Sequence, residues 1–194
     1  MTQKSTATIN DTNSLQMKFN RSAVGLLRGQ LANASCHVAQ EPGVYRWWFP
    51  KEVALRLLSA LKGVDNGSIM KEQIDGKECW CLYFGISKDL RQRIKWHVAQ
   101  HHSASAVRSG FLSTLRKTIS ALLHQDETAS ELSVNDVLDQ CYWDWCATPA
   151  HDDAKRIETK TLATGYFPLN VQENKGVDAS IVRQLKQLRK AYKK

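Results

Sequence analysis

The chain has 194 residues, 42% hydrophobic and 24% charged, which suits one soluble globular domain with a short appendage and leaves no room for two full domains. Its 27 Lys and Arg against 19 Asp and Glu give a net charge of +8, which favours a polyanionic partner, nucleic acid first. No apolar run approaches the ~18 residues of a membrane span, and the polar start MTQKSTATINDTNSLQ lacks the apolar stretch of a secretory signal, so neither a membrane protein nor an exported one is expected.

Residues 1–14 are too polar to offset the entropy of ordering and predict a flexible tail. Residues 15–40 predict a helical extension, with Leu15, Met17, Val24, Leu26, Leu27 and Leu31 as its docking side chains. Pro42-Gly43 then breaks the chain, and GVYRWWF has the composition of a strand that Pro50 ends. On that strand Tyr45, Trp47 and Phe49 share one face and Val44, Arg46 and Trp48 the other. Residues 51–62 repeat apolar side chains at helical spacing up to Gly63. Asp75-Gly76 between two strand-like runs predicts a hairpin, whose second arm, CWCLYFGI, is apolar on both faces and reads as a central strand.

Ser87 is the expected cap of a helix over KDLRQRIKWHVAQHH, with Asp89 in its first turn. A further helix is expected over GFLSTLRKTISALLH, then a polar loop at 125–131 and a short turn capped by Ser133. CYWDWCA is the third strand, ended by Pro149. Asp152 or Asp153 can cap the helix that follows, which Gly165 and Pro168 close. DASIVRQLKQLRKAYKK places Ile181, Leu185, Leu188 and Tyr192 on one stripe of a basic helix. The five cysteines, Cys36, Cys79, Cys81, Cys141 and Cys146, form an odd set without CxxC spacing, which suits reduced thiols in the cytoplasm rather than a structural zinc site.

Several polar groups fall where core residues belong. On the helix after Pro149, Glu158 lies within the sector of Ala154, Ile157, Thr161 and Leu162, opposite the wet face of Lys155, Arg156 and Lys160. A carboxylate there requires a structural partner or a cation. On the helix after Ser87, the apolar sector holds Leu90, Ile94, Val98 and His101, and Arg93 and His97 lie side by side along its border, where they can hold an anion or serve as ordinary boundary residues. Tyr45 and Tyr83 sit on central strands, so each hydroxyl needs a partner; either one becomes a base only beside a cation that lowers its pKa.

Taken in order, Gly43-Val44-Tyr45, Tyr83-Phe84-Gly85, the run SKDLRQRI with His97, Glu158, and Pro168-Leu169-Asn170 resemble the motifs of the GIY-YIG nuclease superfamily. Val44 and Phe84 stand where the family has isoleucines, and the stretches at 50–77 and 103–135 are insertions of the kind its restriction endonucleases carry. The resemblance implies an α/β (α+β) fold: a small three-stranded, mixed, mainly antiparallel sheet flanked by helices. It also implies a catalytic domain over 41–174 and a basic C-terminal helix over 175–194.

In function it implies a metal-dependent endonuclease that hydrolyses DNA phosphodiesters, the alternative being an inactive nucleic-acid-binding module of the same fold. Glu158 would hold one Mg²⁺ or Mn²⁺. Tyr45 or His97 would be the general base, Arg93 would neutralise the scissile phosphate, and Tyr83 would position water or phosphate. Lys88 would bind phosphate or depress a tyrosine pKa, and Asn170 would orient the metal-site loop or touch the DNA backbone. Arg183, Lys186, Arg189 and Lys190 of the last helix would add phosphate contacts on double-stranded DNA. With one catalytic set per chain, double-strand cutting needs a homodimer or two successive nicks.

Overall fold

The computed structural model describes residues 17–99, 113–123 and 131–191, with the side chains of 131–133 excepted. The tail at 1–14, Leu15, His101, Tyr192, the side chain of Ser133 and most of the polar loop at 125–131 fall outside that set.

Five strands are described: β1 Asn20–Ala23, β2 Gly43–Pro50, β3 Lys71–Ile74, β4 Lys77–Ser87 and β5 Tyr142–Ala147. They form one sheet in the order β1-β5-β2-β4-β3, and every pairing is antiparallel. The expectation of a three-stranded, mixed sheet is therefore corrected, although the α+β class stands. The three expected strands form the centre, β3 is the first arm of the expected hairpin, and the four-residue edge strand β1 was hidden in polar sequence. Residues 15–34, read as helical, instead supply β1 before any helix begins, because Asn20–Ala23 pairs with a strand more than a hundred residues away. No local periodicity records that contact.

Seven helices are described: α1 Val24–Ala32, α2 Lys51–Leu58, α3 Leu90–Ala99, α4 Thr114–Leu123, α5 Glu131–Asp139, α6 His151–Thr164 and α7 Ala179–Ala191. None is long and apolar enough to cross a membrane. Helix α2 ends four residues before its sequence pattern does. The caps also differ from expectation. Asp89, not Ser87, caps α3 by accepting the Gln92 N–H at 2.9 Å, while the Ser87 hydroxyl braces the Asp89 backbone. On α6 the cap position is Ala150, whose N–H donates to Asp153 at 3.1 Å. The chain thus enters each helix two or three residues from the polar side chain that spacing alone selects.

The two faces of β2 open into two cores. Tyr45, Trp47 and Phe49 pack with α1, α2, α3, α4, α5 and α7. Val44 and Trp48 pack with Phe84, Ile74 and, from α6, Ala154 and Leu162. Asp75 and Gly76 both adopt positive φ, at 49° and 76°, as a two-residue hairpin between right-twisted strands requires. The register between β2 and β4 slips between Trp47 and Trp48, so that Leu82 is an extra residue in β4. Leu82 and Tyr83 consequently both enter the Tyr45 core, while Cys81 and Phe84 enter the other.

Candidate active site

The bulge sets the first feature of the site. By turning Tyr83 onto the face that holds Tyr45, it stacks the two phenol rings 6.2 Å apart. Tyr45 lies across β4 at Gly85, where an added Cβ would meet its ring and hydroxyl at 2.6 Å. Glycine at that position leaves the space the phenol occupies. Gly43 is equally constrained, because a Cβ there would come within 2.4 Å of the Cys146 carbonyl and 2.7 Å of Leu90.

Helix α3 brings the next two groups. The His97 ring is buried against Tyr45 and Trp47, with Nε2 3.3 Å from the Tyr45 hydroxyl and Nδ1 3.0 Å from Ser113 Oγ. Burial, reinforced by Arg93 and Arg116, pushes the His97 pKa well below its ordinary value, so the ring is neutral. Arg93, one turn earlier, is only partly buried, yet its Nε is enclosed without a hydrogen-bond partner. A guanidinium with an unused buried donor is prepared to receive an anion.

Glu158 on α6 is half-buried and has no hydrogen-bond or ion-pair partner among the described residues. Burial pushes its pKa up to about 7, the nearby Glu173 carboxylate adds to the rise and Arg93 opposes it. The charges of Arg93 and Glu158 both act on Tyr45 and Tyr83, which ties the four groups into one electrostatic cluster. Both phenols are held protonated, chiefly by burial. Arg189 of α7 reaches the same cluster: it is partly buried, burial lowers its pKa, and its charge acts on Tyr83.

The remaining expected residues divide. Asn170 is buried, and its amide is fully engaged with β4, accepting the Phe84 N–H at 2.9 Å and donating to the Phe84 carbonyl at 2.7 Å. Those bonds fix the loop after α6 to the strand that carries Tyr83. Lys88 is exposed in the turn before α3, and the charges that shift the two phenols are those of Arg93, Glu158 and Arg189. Arg183, Lys186 and Lys190 are exposed on α7.

Sequence reasoning missed Ser113 and Arg116. Arg116 is fully buried and donates to the His97 carbonyl at 2.8 Å and to Asn135 at 3.0 Å. An arginine beside the apolar stripe of the helix over 114–123 is the signal that could have found it.

A family model, described as the GIY-YIG catalytic domain, matches residues 43–191. The chain belongs to the GIY-YIG family. No curated protein and no solved structure gives a significant match, so the assignment rests on that family model and on the site itself. GIY-YIG membership carries a nuclease-type function, and GIY-YIG nucleases are generally dependent on a divalent metal. The donor set here suits such an ion. Among the described residues no three His, Cys, Asp or Glu gather into a ligand group, and the carboxylate of the cluster, Glu158, has no partner but lies near the Glu173 carboxylate. A hard oxygen donor standing alone fits Mg²⁺, which keeps much of its water shell and shares substrate phosphates rather than needing a protein cage.

Proposed function

We propose that this protein is a metal-dependent endonuclease that hydrolyses phosphodiester bonds of double-stranded DNA, with Tyr45, Tyr83, Arg93, His97 and Glu158 as its catalytic set. The observation that carries the reading is the convergence of a stacked tyrosine pair, a neutral histidine, an arginine with an unused buried donor and an unpartnered carboxylate.

Mg²⁺ or Mn²⁺ held by Glu158 would supply charge stabilisation at the phosphoryl oxygens. The chain's own groups do the rest. Arg93 donates to a non-bridging oxygen of the scissile phosphate with the Nε that lacks a partner. Tyr45 relays a proton rather than acting as a standing base, because burial disfavours its phenolate. With the imidazole proton on Nδ1 and donated to Ser113, Nε2 is free to accept. The attacking water bonds to phosphorus and loses its proton to the Tyr45 oxygen as the Tyr45 proton moves to His97, while the phosphorus–oxygen bond to the leaving oxygen breaks and that oxygen takes a proton from solvent water. The two arginines that suppress His97 basicity at rest lose part of that effect when a phosphate neutralises Arg93, so substrate itself makes the acceptor stronger.

Tyr83 orients the water or a phosphate oxygen, and Asn170 keeps the loop after α6 in register with that tyrosine. Arg189 adds a cation at the site, while Lys88, Arg183, Lys186 and Lys190 contact flanking phosphates. A homodimer would let both strands be cut at once. Five cysteines that all stand as free thiols suit a reducing, cytoplasmic setting.

The test is cleavage of supercoiled plasmid and of mixed-sequence linear DNA by wild type and Glu158→Ala, each with Mg²⁺ or with EDTA. Nicking or cutting only by wild type with Mg²⁺ is expected. A gel shift that persists in all four combinations without any cutting would replace the nuclease by the binding module.

A further inference from the structure

Helix α3 has a second functional flank. Trp96 is three residues beyond Arg93, about 60° round the helix from it, and its ring lies 5.7 Å from the Arg93 guanidinium. Of the six tryptophans, Trp47, Trp48, Trp80, Trp143 and Trp145 are at most 4% exposed, whereas Trp96 is 51% exposed. Trp96 is thus the one tryptophan whose ring stays in water, and it stands beside the phosphate-binding arginine.

Trp96 forms one wall of a cleft of about 540 Å³ between α3 and the connection from α1 to β2. Leu31 and Cys36 give the cleft apolar walls, and Arg91 and Lys95 set two positive charges against the one carboxylate in its lining, Asp89. The side-chain amides of Gln40 and Gln92 also line it, and neither has a hydrogen-bond partner among the described residues. Arg91 ties the two sides together by donating its Nε to the Val38 carbonyl at 2.7 Å. An aromatic plane, cations at the rim and amides with both donors and acceptors free are what an unpaired nucleobase requires.

We propose that this cleft receives an unpaired nucleobase, stacked on Trp96, from the nucleotide next to the phosphate held at Arg93. The inference rests on the nuclease reading for that phosphate and narrows its substrate to DNA with an extruded or single-stranded nucleotide beside the cleavage point. The base edge meets Gln40 and Gln92, and the flanking backbone meets Lys95. Stacking, unlike groove readout, tolerates any base and excludes a fully paired strand, so the cleft selects for DNA structure before sequence.

The experiment uses the full chain in EDTA, so that binding is read without cleavage. A labelled oligothymidylate of about 15 nucleotides, an intact duplex of the same length and that duplex with one unpaired base are titrated while anisotropy reports binding and tryptophan emission reports stacking. The exposed, red-shifted component of the emission should be quenched by the single strand and by the interrupted duplex, and far less by the intact duplex. Trp96→Phe should abolish the quenching with affinity nearly kept, which assigns the signal. Trp96→Ala should weaken single-strand binding about 5- to 150-fold, and as a surface substitution it leaves folding intact, which unchanged circular dichroism verifies.

Binding by anisotropy with unchanged emission, or equal affinity of Trp96→Ala and wild type, would overturn the inference. Quenching that grows with protein concentration in the absence of DNA would also overturn it, by assigning the cleft to a second copy of the chain. Cleavage assays with Mg²⁺ separate the two readings: cutting without quenching removes only the base cleft, and quenching without cutting removes only the hydrolysis.

Discussion

The two faces of β2 bury charge and treat it in opposite ways. On the face away from the tyrosines, Asp144 is completely buried and accepts from Arg21 at 2.5 and 3.0 Å, from Arg46 at 2.5 Å and from the Trp48 indole at 2.9 Å. Arg21 then grips Glu72 with two bonds of 2.7 and 2.8 Å. Arg21 sits on β1 and Glu72 on β3, the opposite edges of the sheet, so the pair clasps a curled sheet edge to edge. Two cations face two anions there, so each guanidinium has a carboxylate, although Arg46 Nε is itself buried without a hydrogen-bond partner. On the tyrosine face, neither the Arg93 guanidinium nor the Glu158 carboxylate has a hydrogen-bond or ion-pair partner among the described residues. Closed networks hold a fold, whereas groups left open at similar depth are available to a ligand that completes them.

The contrast is testable from both sides. Asp144→Ala strands the buried Arg46 guanidinium and leaves Arg21 with Glu72 alone, and should lower stability by about 3 to 5 kcal/mol, read as a loss in the midpoint of urea unfolding. A destabilisation well under that range would mean that the clasp matters less than its geometry suggests. Arg93→Ala should do the reverse, leaving the unfolding midpoint nearly unchanged while DNA cleavage falls about 10²- to 10³-fold. If it costs stability as Asp144→Ala does, Arg93 belongs to a structural network and the distinction between the faces fails.

Gly85→Ala lies between these extremes. A Cβ placed 2.6 Å from the Tyr45 phenol must displace it, at an overpacking cost of about 1 to 3 kcal/mol. Cleavage should drop by more than that destabilisation accounts for, because Tyr45 leaves His97; proportionate losses would count against the relay. The smallest effect is in pH. Because burial raises the Glu158 pKa to about 7, its protonated form contributes stability that is present below the ordinary carboxyl range and is lost as pH rises through about 7. A divalent cation must displace that proton, so Mg²⁺ should bind about tenfold more tightly per pH unit gained below 7 and level off above it. Thermal shifts with Mg²⁺ at about pH 6 and about pH 8 measure this, and Glu158→Gln should remove the difference.

Much of the site was legible because its residues carry local signatures. Tyr45 and Tyr83 stand on strands whose composition is unmistakable, and Glu158 betrays itself by interrupting an apolar stripe. Arg93 and His97 were readable as neighbours from helical spacing alone. The central strands, the hairpin at Asp75-Gly76 and the C-terminal helix follow from the same short-range periodicity. Ser113, Arg116 and Asp144 were not legible in their roles, because each works through a partner far along the chain. The edge strand Asn20–Ala23 escaped for a similar reason, since its four polar or small residues have strand character only once β5 lies beside them.

What the sequence determined by itself is therefore the set of groups, their order and their local elements, all of which depend on side-chain chemistry within a few residues. Tertiary structure decided how those groups meet. The extra residue at Leu82 turns Tyr83 onto the Tyr45 face, Gly85 clears the space for the phenol, and curling joins β1 to β3 through Arg21 and Glu72. A bulge or a curl is fixed by the packing of strands against one another, and strict alternation along β4 would have put Tyr83 in the opposite core from Trp80 and Leu82. Register between strands distant in sequence is a property of the assembled sheet, and in this protein it brings the two tyrosines together.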